Sequence, residues 1–146
     1  MTRIDEFFIK NESDMLAWGA ELAKKCGEQA CIYLKGQLGA GKTTLVRGFL
    51  QGLGYSGLVK SPTYTIVESY SFERKPSVFH FDLYRLNHPK ELLDIGLDDY
   101  LSEKGIYLFE WPEKAGSLLP KATLICTLTI PDDGCGRKIK TQWCDV

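Results

Sequence analysis

The nine residues GQLGAGKTT, 36–44, constrain this chain more than any other stretch. Gly36, Gly41, Lys42 and Thr43 satisfy the pattern G-x-x-x-x-G-K-[ST]. Before them stands ACIYL, 30–34, a continuous apolar run of strand length that suits a strand buried on both faces. After them comes TLVRGFLQGLG, with Leu45, Val46, Phe49, Leu50 and Leu53 on one helical face and Gly54 as terminator. Strand, glycine-rich turn and helix is the order in which this pattern has a mechanism. Backbone N–H groups converge on phosphate oxygens only where side chains stay out of the way, so Gly36, Gly39, Ala40 and Gly41 are the expected cradle. The helix N-terminus, with Thr44 in its first turn, adds partial positive charge. Lys42 is expected to reach β- and γ-phosphates and the Thr43 hydroxyl to bind Mg²⁺.

The rest of the chain alternates strand and helix signals. Glu6–Ile9 reads as a short strand. NESDMLAWGAELAKKCG reads as a helix capped by Asn11, striped by Met15, Trp18, Leu22 and Cys26, and stopped at Gly27. Tyr64–Phe72 and Ser77–Tyr84 are β-rich and joined by ERKP, which predicts a hairpin. NHPKELLDIGLDDYLSEKG carries two short helical patterns, with Asn87 as the expected cap. IYLFE, 106–110, is a further buried strand, ended by Trp111 and Pro112. ATLICTLTI and RKIKTQW form a final strand pair turned by PDDGCG. The fold class expected is α/β: a three-layer fold of the P-loop NTPase type, with a mixed, mostly parallel central sheet and a C-terminal strand pair, as one domain over residues 1–146.

Chain direction then brings chemistry together. With the strand before the loop pointing up, its C-terminal end is the ligand edge. The following helix descends, and residues 54–63 are long enough to climb back. SPTYT, 61–65, then starts a descending strand at that edge, and its hairpin partner returns Asp82 there. The stretch 86–105 suffices for a crossover, so 106–110 also ascends and delivers Glu110. A hydroxyl-rich entry and two carboxylates beside a phosphate loop make the set that nucleotide hydrolysis needs: a ligand for Mg²⁺, a group to orient water, and a sensor of the γ-phosphate. The plainer readings are Asp82 as a strand terminator, Glu110 as a surface acid and SPTYT as an ordinary loop. Either acid is a candidate for the metal, with Glu110 favoured for direct or water-mediated contact and Asp82 supporting. His80 and His88 lack metal-ligand spacing and read as structural. Trp111 is left between core packing and a partner surface.

Composition narrows the class. A net charge of −1 argues against autonomous gripping of DNA or RNA, which needs a basic excess to neutralise phosphates. The five cysteines lack C-x-x-C spacing, so reduced thiols are expected. MTRIDEFFIK has no apolar signal core, and no apolar run reaches membrane-spanning length, so a cytoplasmic protein is expected. No guanine-reading N-K-x-D is present, which favours ATP over GTP.

GQLGAGKTTLVRGFLQGLG, VKSPTYTIVESY, FHFDLYRL, ELLDIGLDDYL and LFEWPEK…LLP, in this order over about residues 30 to 120, together resemble the TsaE family. The resemblance implies a small bacterial P-loop ATPase of the tRNA threonylcarbamoyladenosine pathway. Such a protein works with TsaB-like and TsaD-like proteins, whose complex modifies the adenosine beside the anticodon, and meets tRNA only through that complex. Hydrolysis of ATP would reset the complex between cycles. By the same resemblance Lys42 and Thr43 carry the phosphate and Mg²⁺ roles, Thr63 and Thr65 sit in a switch-like segment, and Asp82 is the Walker-B-like acid. Glu110 touches Mg²⁺ or its water, Trp111 belongs to the functional block, and Glu12 and Arg137 border the adenine. One position departs: the family usually has Asp where this chain has Gln37, which shifts catalytic burden to Asp82 and Glu110. Two other functions share the loop chemistry. A small-molecule kinase would need an Arg-bearing lid, for which residues after 86 offer no candidate. A nucleotide-dependent binding switch with negligible hydrolysis is the third.

Overall fold

The computed structural model describes residues 3–57, 59 and 66–144. Seven strands form one sheet in the order β1-β7-β6-β2-β5-β4-β3. In chain order they are β1 (Arg3–Ile9), β2 (Ala30–Lys35), β3 (Val67–Phe72), β4 (Lys75–Asp82), β5 (Gly105–Glu110), β6 (Leu124–Thr129) and β7 (Arg137–Trp143). The helices are α1 (Glu12–Lys25), α2 (Lys42–Gly52), α3 (Lys90–Asp94) and α4 (Leu97–Leu101), with a 3₁₀ turn at Pro112–Ala115. The centre is parallel: β2 pairs with β5 and β6, and β5 with β4. The margins are antiparallel, through β3–β4 on one side and β6–β7–β1 on the other.

Alternation along the parallel strands makes two cores. Ile32, Leu34, Ile106, Leu108, Leu124 and Cys126 face α1 and α2, where Met15, Leu22, Leu45, Val46, Phe49 and Leu50 meet them. Cys31, Phe79, Phe81, Tyr107 and Phe109 face the opposite way, onto Leu92 of α3, Leu97 of α4 and Ala115. The expected three-layer α/β arrangement is therefore present. The helix faces expected from the sequence are those that are buried, with Trp18, Cys26 and Leu53 only partly covered.

Helices α1 and α2 lie close because glycines face each other's backbone. A methyl group on Gly19 would strike the carbonyl of Leu45, one on Gly48 the carbonyl of Leu16, and one on Gly52 would come 2.7 Å from the Cα of Ala20. Asn11 caps α1 as expected, its Oδ1 accepting from the Asp14 N–H at 2.8 Å.

Several boundaries move. β1 begins at Arg3 rather than Glu6, since pairing with β7 runs from Arg3↔Trp143 to Ile9↔Arg137. That strand is exposed along most of its length, so it carries no apolar alternation that would reveal its start. The hairpin turns at Glu73 and Arg74 alone, with Arg74 at φ 64, so β4 occupies 75–82 instead of 77–84. Asn87 is exposed and does not cap α3: Pro89 stands at the N-cap position, and just ahead of it the His88 Nδ1 accepts from the Lys90 N–H at 3.1 Å. Among the described residues no helix is long and apolar enough to cross a membrane.

Candidate functional site

The C-terminal ends of β2, β4 and β5 share one edge of the sheet. In the parallel register Asp82 stands opposite Glu110, and Glu110 opposite Leu34, the residue just before the end of β2. The loop that leaves β2 turns through Gly36 at φ 148 and enters α2 through Gly41 at φ 104. A Cβ on Gly36 would come 2.6 Å from the Leu128 carbonyl, so this position takes no side chain. Ala40 is buried, and its N–H closes the loop onto the Gln37 carbonyl at 3.1 Å. Gln37 is exposed, as are Leu38 and Gly39. Gly36, Gly39, Ala40 and Gly41 thus lie in the turn that leads into the N-terminus of α2, with Lys42, Thr43 and Thr44 in its first turn.

Glu110 is almost wholly buried, at 2% exposure, although it ends a strand at a ligand edge. Its Oε2 accepts from the Thr43 hydroxyl across 3.4 Å and from His80 Nε2 at 2.6 Å. Asp82 is half-buried and accepts from the Tyr84 N–H at 3.1 Å. Burial and then the neighbouring Glu110 charge raise the Asp82 pKa, against the Tyr84 bond, His80 and Lys42, which lower it. Lys42 is buried, and desolvation lowers its pKa while Glu110, Asp82 and Glu113 pull it back up. Its ammonium donates to the Gly36 carbonyl and lies 3.8 Å from the centre of the Trp111 ring.

Trp111 packs partly buried against the second core. The residue is half-buried, holds a left-handed φ of 59, and meets Tyr84 in a tilted ring contact at 5.1 Å while covering Lys42. Pro112 opens the 3₁₀ turn at once, so β5 stops at the site.

A recess of about 250 Å³ opens on the other side of the loop. Glu12 and Arg137 border it together with Met15, Gly39, Gly41 and Thr44. Arg137 donates through Nη2 to the Gly39 carbonyl at 3.2 Å, and Glu12 is paired with Arg47 of α2 at 3.3 Å. Residues far apart in sequence are therefore gathered around one concave surface continuous with the loop.

Thr63 and Thr65 lie outside the described residues. His80, read from the sequence as an isolated structural histidine, is instead bonded to Glu110. The available signal was its place on β4, two residues before Asp82 and so on the same face.

Among the described residues no group of three or more His, Cys, Asp or Glu side chains is arranged to hold a metal ion. What is present is a hydroxyl and a carboxylate from different elements, with a second carboxylate alongside. This hard-oxygen set is too small for an all-protein cage. It matches the way Mg²⁺ is bound, by one or two protein oxygens, phosphates and water.

Comparison with known proteins bears on family and fold. The family model described as threonylcarbamoyl adenosine biosynthesis protein TsaE matches residues 9–139. The tRNA threonylcarbamoyladenosine biosynthesis protein TsaE of Haemophilus influenzae is 47% identical over 131 residues, covering 86% of this chain and 82% of that protein. Its counterpart from Synechocystis is 42% identical over 120 residues, covering 77% and 73%. The crystal structure of Bacillus subtilis YdiB superposes with a TM-score of 0.79 at 28% identity, over 98% of this chain and 87% of that one. On its sequence, its fold and the match over most of its length, the chain belongs to the TsaE family, whose members take part in the biosynthesis of threonylcarbamoyladenosine in tRNA.

Proposed function

We propose that this chain is a P-loop ATPase of the cytoplasm that binds ATP with Mg²⁺ and works with TsaB-like and TsaD-like proteins in threonylcarbamoyl modification of the adenosine next to the anticodon. Its hydrolysis resets that complex, through which alone it meets tRNA. The observation that carries the reading is the approach of Thr43 Oγ1 to Glu110 Oε2, 3.4 Å, at the mouth of a glycine cradle that also holds Lys42.

In this reading the backbone N–H groups of residues 36–44 and the Lys42 ammonium bind the phosphates. Glu12 and Arg137 border the base in the recess beside Gly39. Thr43 and Glu110 would hold Mg²⁺, Glu110 directly or through its water, with Asp82 supporting. The ion, when bound, neutralises charge on the β- and γ-phosphate oxygens. Thr63 and Thr65 sense the γ-phosphate. Trp111 and Tyr84 shield one side of Lys42 from water.

Arginine supply argues for slow turnover by the chain alone. Only five arginines occur, and Arg137, the one bordering the loop, is engaged with the carbonyls of Gly39, Gly134 and Gly136. Phosphate release is to be measured for the chain by itself and with its two partners and tRNA. The isolated chain is expected near unassisted P-loop rates, roughly 10⁻⁴–10⁻² s⁻¹, rising when partners are added. Fast turnover by the isolated chain, or ADP formed with a phosphorylated metabolite and no free phosphate, would count against it.

A further inference from the structure

His80 is wholly buried, and among the described residues only the Nε2 of its two ring nitrogens has a partner. That partner is Glu110 Oε2 at 2.6 Å, the same oxygen that receives the Thr43 hydroxyl. Nδ1 has no hydrogen-bond partner among the described residues. The arrangement selects a tautomer. A proton on Nδ1 alone would leave a buried N–H without an acceptor and aim a nitrogen lone pair at a carboxylate oxygen, two unfavourable contacts at once. A proton on Nε2 alone makes a charge-assisted bond and leaves at Nδ1 only a lone pair.

The backbone explains why a histidine reaches this oxygen. Residues 78, 80 and 82 share one face of β4, the face packed towards α1 and α2. In the parallel register His80 stands opposite Leu108 and Asp82 opposite Glu110. His80 therefore lies one step deeper than the acids and supports Glu110 from below. It does not reach the edge where phosphates would sit.

We propose that His80 is the positioning residue for Glu110: its Nε2–H holds Oε2, and so sets the carboxylate orientation in which Glu110 and Thr43 receive a divalent cation. This rests on the nucleotide and Mg²⁺ reading of the site given above. A carboxylate that ends a strand has rotamers pointing to solvent; a buried donor behind it removes them. Partners of this kind behind a metal-binding side chain typically influence metal affinity or activity by about 10–100-fold.

Two substitutions separate positioning from filling of the core. His80→Leu keeps bulk and removes the donor. His80→Gln puts an amide N–H near the former Nε2. Binding of a fluorescent ADP is measured in EDTA and across a Mg²⁺ titration, alongside partner-stimulated phosphate release. His80→Leu is expected to leave EDTA affinity within about twofold, and to raise the Mg²⁺ concentration for half-maximal effect by about tenfold or more. His80→Gln is expected to recover most of that loss. Equal Mg²⁺ dependence in His80→Leu and the parent, or equal defects in Leu and Gln variants, would overturn the proposal. If His80→Leu does not fold, the Gln variant decides: a tenfold Mg²⁺ defect in it refutes the role.

Nitrogen NMR of the parent's imidazoles gives a readout independent of hydrolysis. A proton on Nε2 of His80, with or without a second on Nδ1, supports the assignment, and an Nε2 left bare with the proton on Nδ1 refutes it. Should the parent bind ADP with Mg²⁺ yet release no phosphate with partners, the ATPase reading fails while both readouts for His80 still stand.

Discussion

The ammonium of Lys42 lies 3.8 Å from the centre of the Trp111 ring and donates to the carbonyl of Gly36. A phosphate entering the loop competes with both contacts. The ring contributes about 0.5–2 kcal/mol, and a charge-assisted bond to phosphate is the stronger competitor. Nucleotide is therefore expected to draw Lys42 off the indole and change its emission. Trp111→Phe should abolish that change and leave the Trp18 and Trp143 background. Persistence of the signal in the variant would locate it at one of those two residues.

Glu110→Gln removes the charge while keeping the shape of a buried side chain that meets both Thr43 and His80. Nucleotide binding in EDTA should stay close to that of the parent, and partner-stimulated turnover should fall by roughly 10²-fold or more. Turnover equal to the parent's would take Glu110 out of the metal site.

Asp82 gives a pH dependence with a definite sign. Burial and the Glu110 charge raise its pKa in the fold, so the native state holds this proton more tightly than the unfolded chain does. Stability from this group is then greatest below the ordinary carboxylate range and declines as pH rises through the raised value. Asp82→Asn should raise the Tm by a few degrees at neutral pH without nucleotide, make little difference in acid where both forms are neutral, and slow turnover. Thermal unfolding at the two pH values checks the first two points. A variant less stable than the parent at neutral pH would contradict the sign.

Among the described residues the protein alone presents too few hard ligands for a divalent cation. Mg²⁺ without nucleotide should leave the Tm unchanged, whereas Mg²⁺ with ADP should raise it beyond ADP alone, following the linkage between binding and stability. Calorimetric binding of Mg²⁺ by the chain alone would point to a site of another kind.

Arg137→Ala should separate base from phosphate. Its guanidinium borders the recess and holds the Gly39 carbonyl at 3.2 Å. ATP affinity should drop by about tenfold, the equivalent of ~1.4 kcal/mol, and tripolyphosphate affinity by much less. Equal losses for both ligands would mean that Arg137 acts by shaping the loop.

Much of this site was legible because its signals are local. Gly36 to Thr43 carries the spacing G-x-x-x-x-G-K-[ST] in one short stretch, and the apolar runs around it fix a buried strand and a helix. Asp82 and Glu110 were recoverable from chain direction alone, and the register makes them direct neighbours. The His80–Glu110 contact needs more: a diagonal across two parallel strands depends on a register that no turn between them dictates. β1 escaped in part because an exposed edge strand has no need of alternating apolar residues. Asn87 was expected to cap α3 because local propensity favours Asn, but the helix starts later, with Pro89 at its N-cap and the His88 ring accepting the Lys90 N–H.

The glycine seam between α1 and α2 has a mechanical meaning. Gly48→Ala would gain the ordinary helix preference for alanine, about 1 kcal/mol, and lose more by forcing the helices apart, typically 1–3 kcal/mol or above. Helices in backbone contact cannot slide past each other without separating first. The first carries Glu12 at its start and the second begins at Lys42. The residue beside the recess and the residue beside the glycine loop thus ride on two helices locked by backbone contact, so moving either one means moving both.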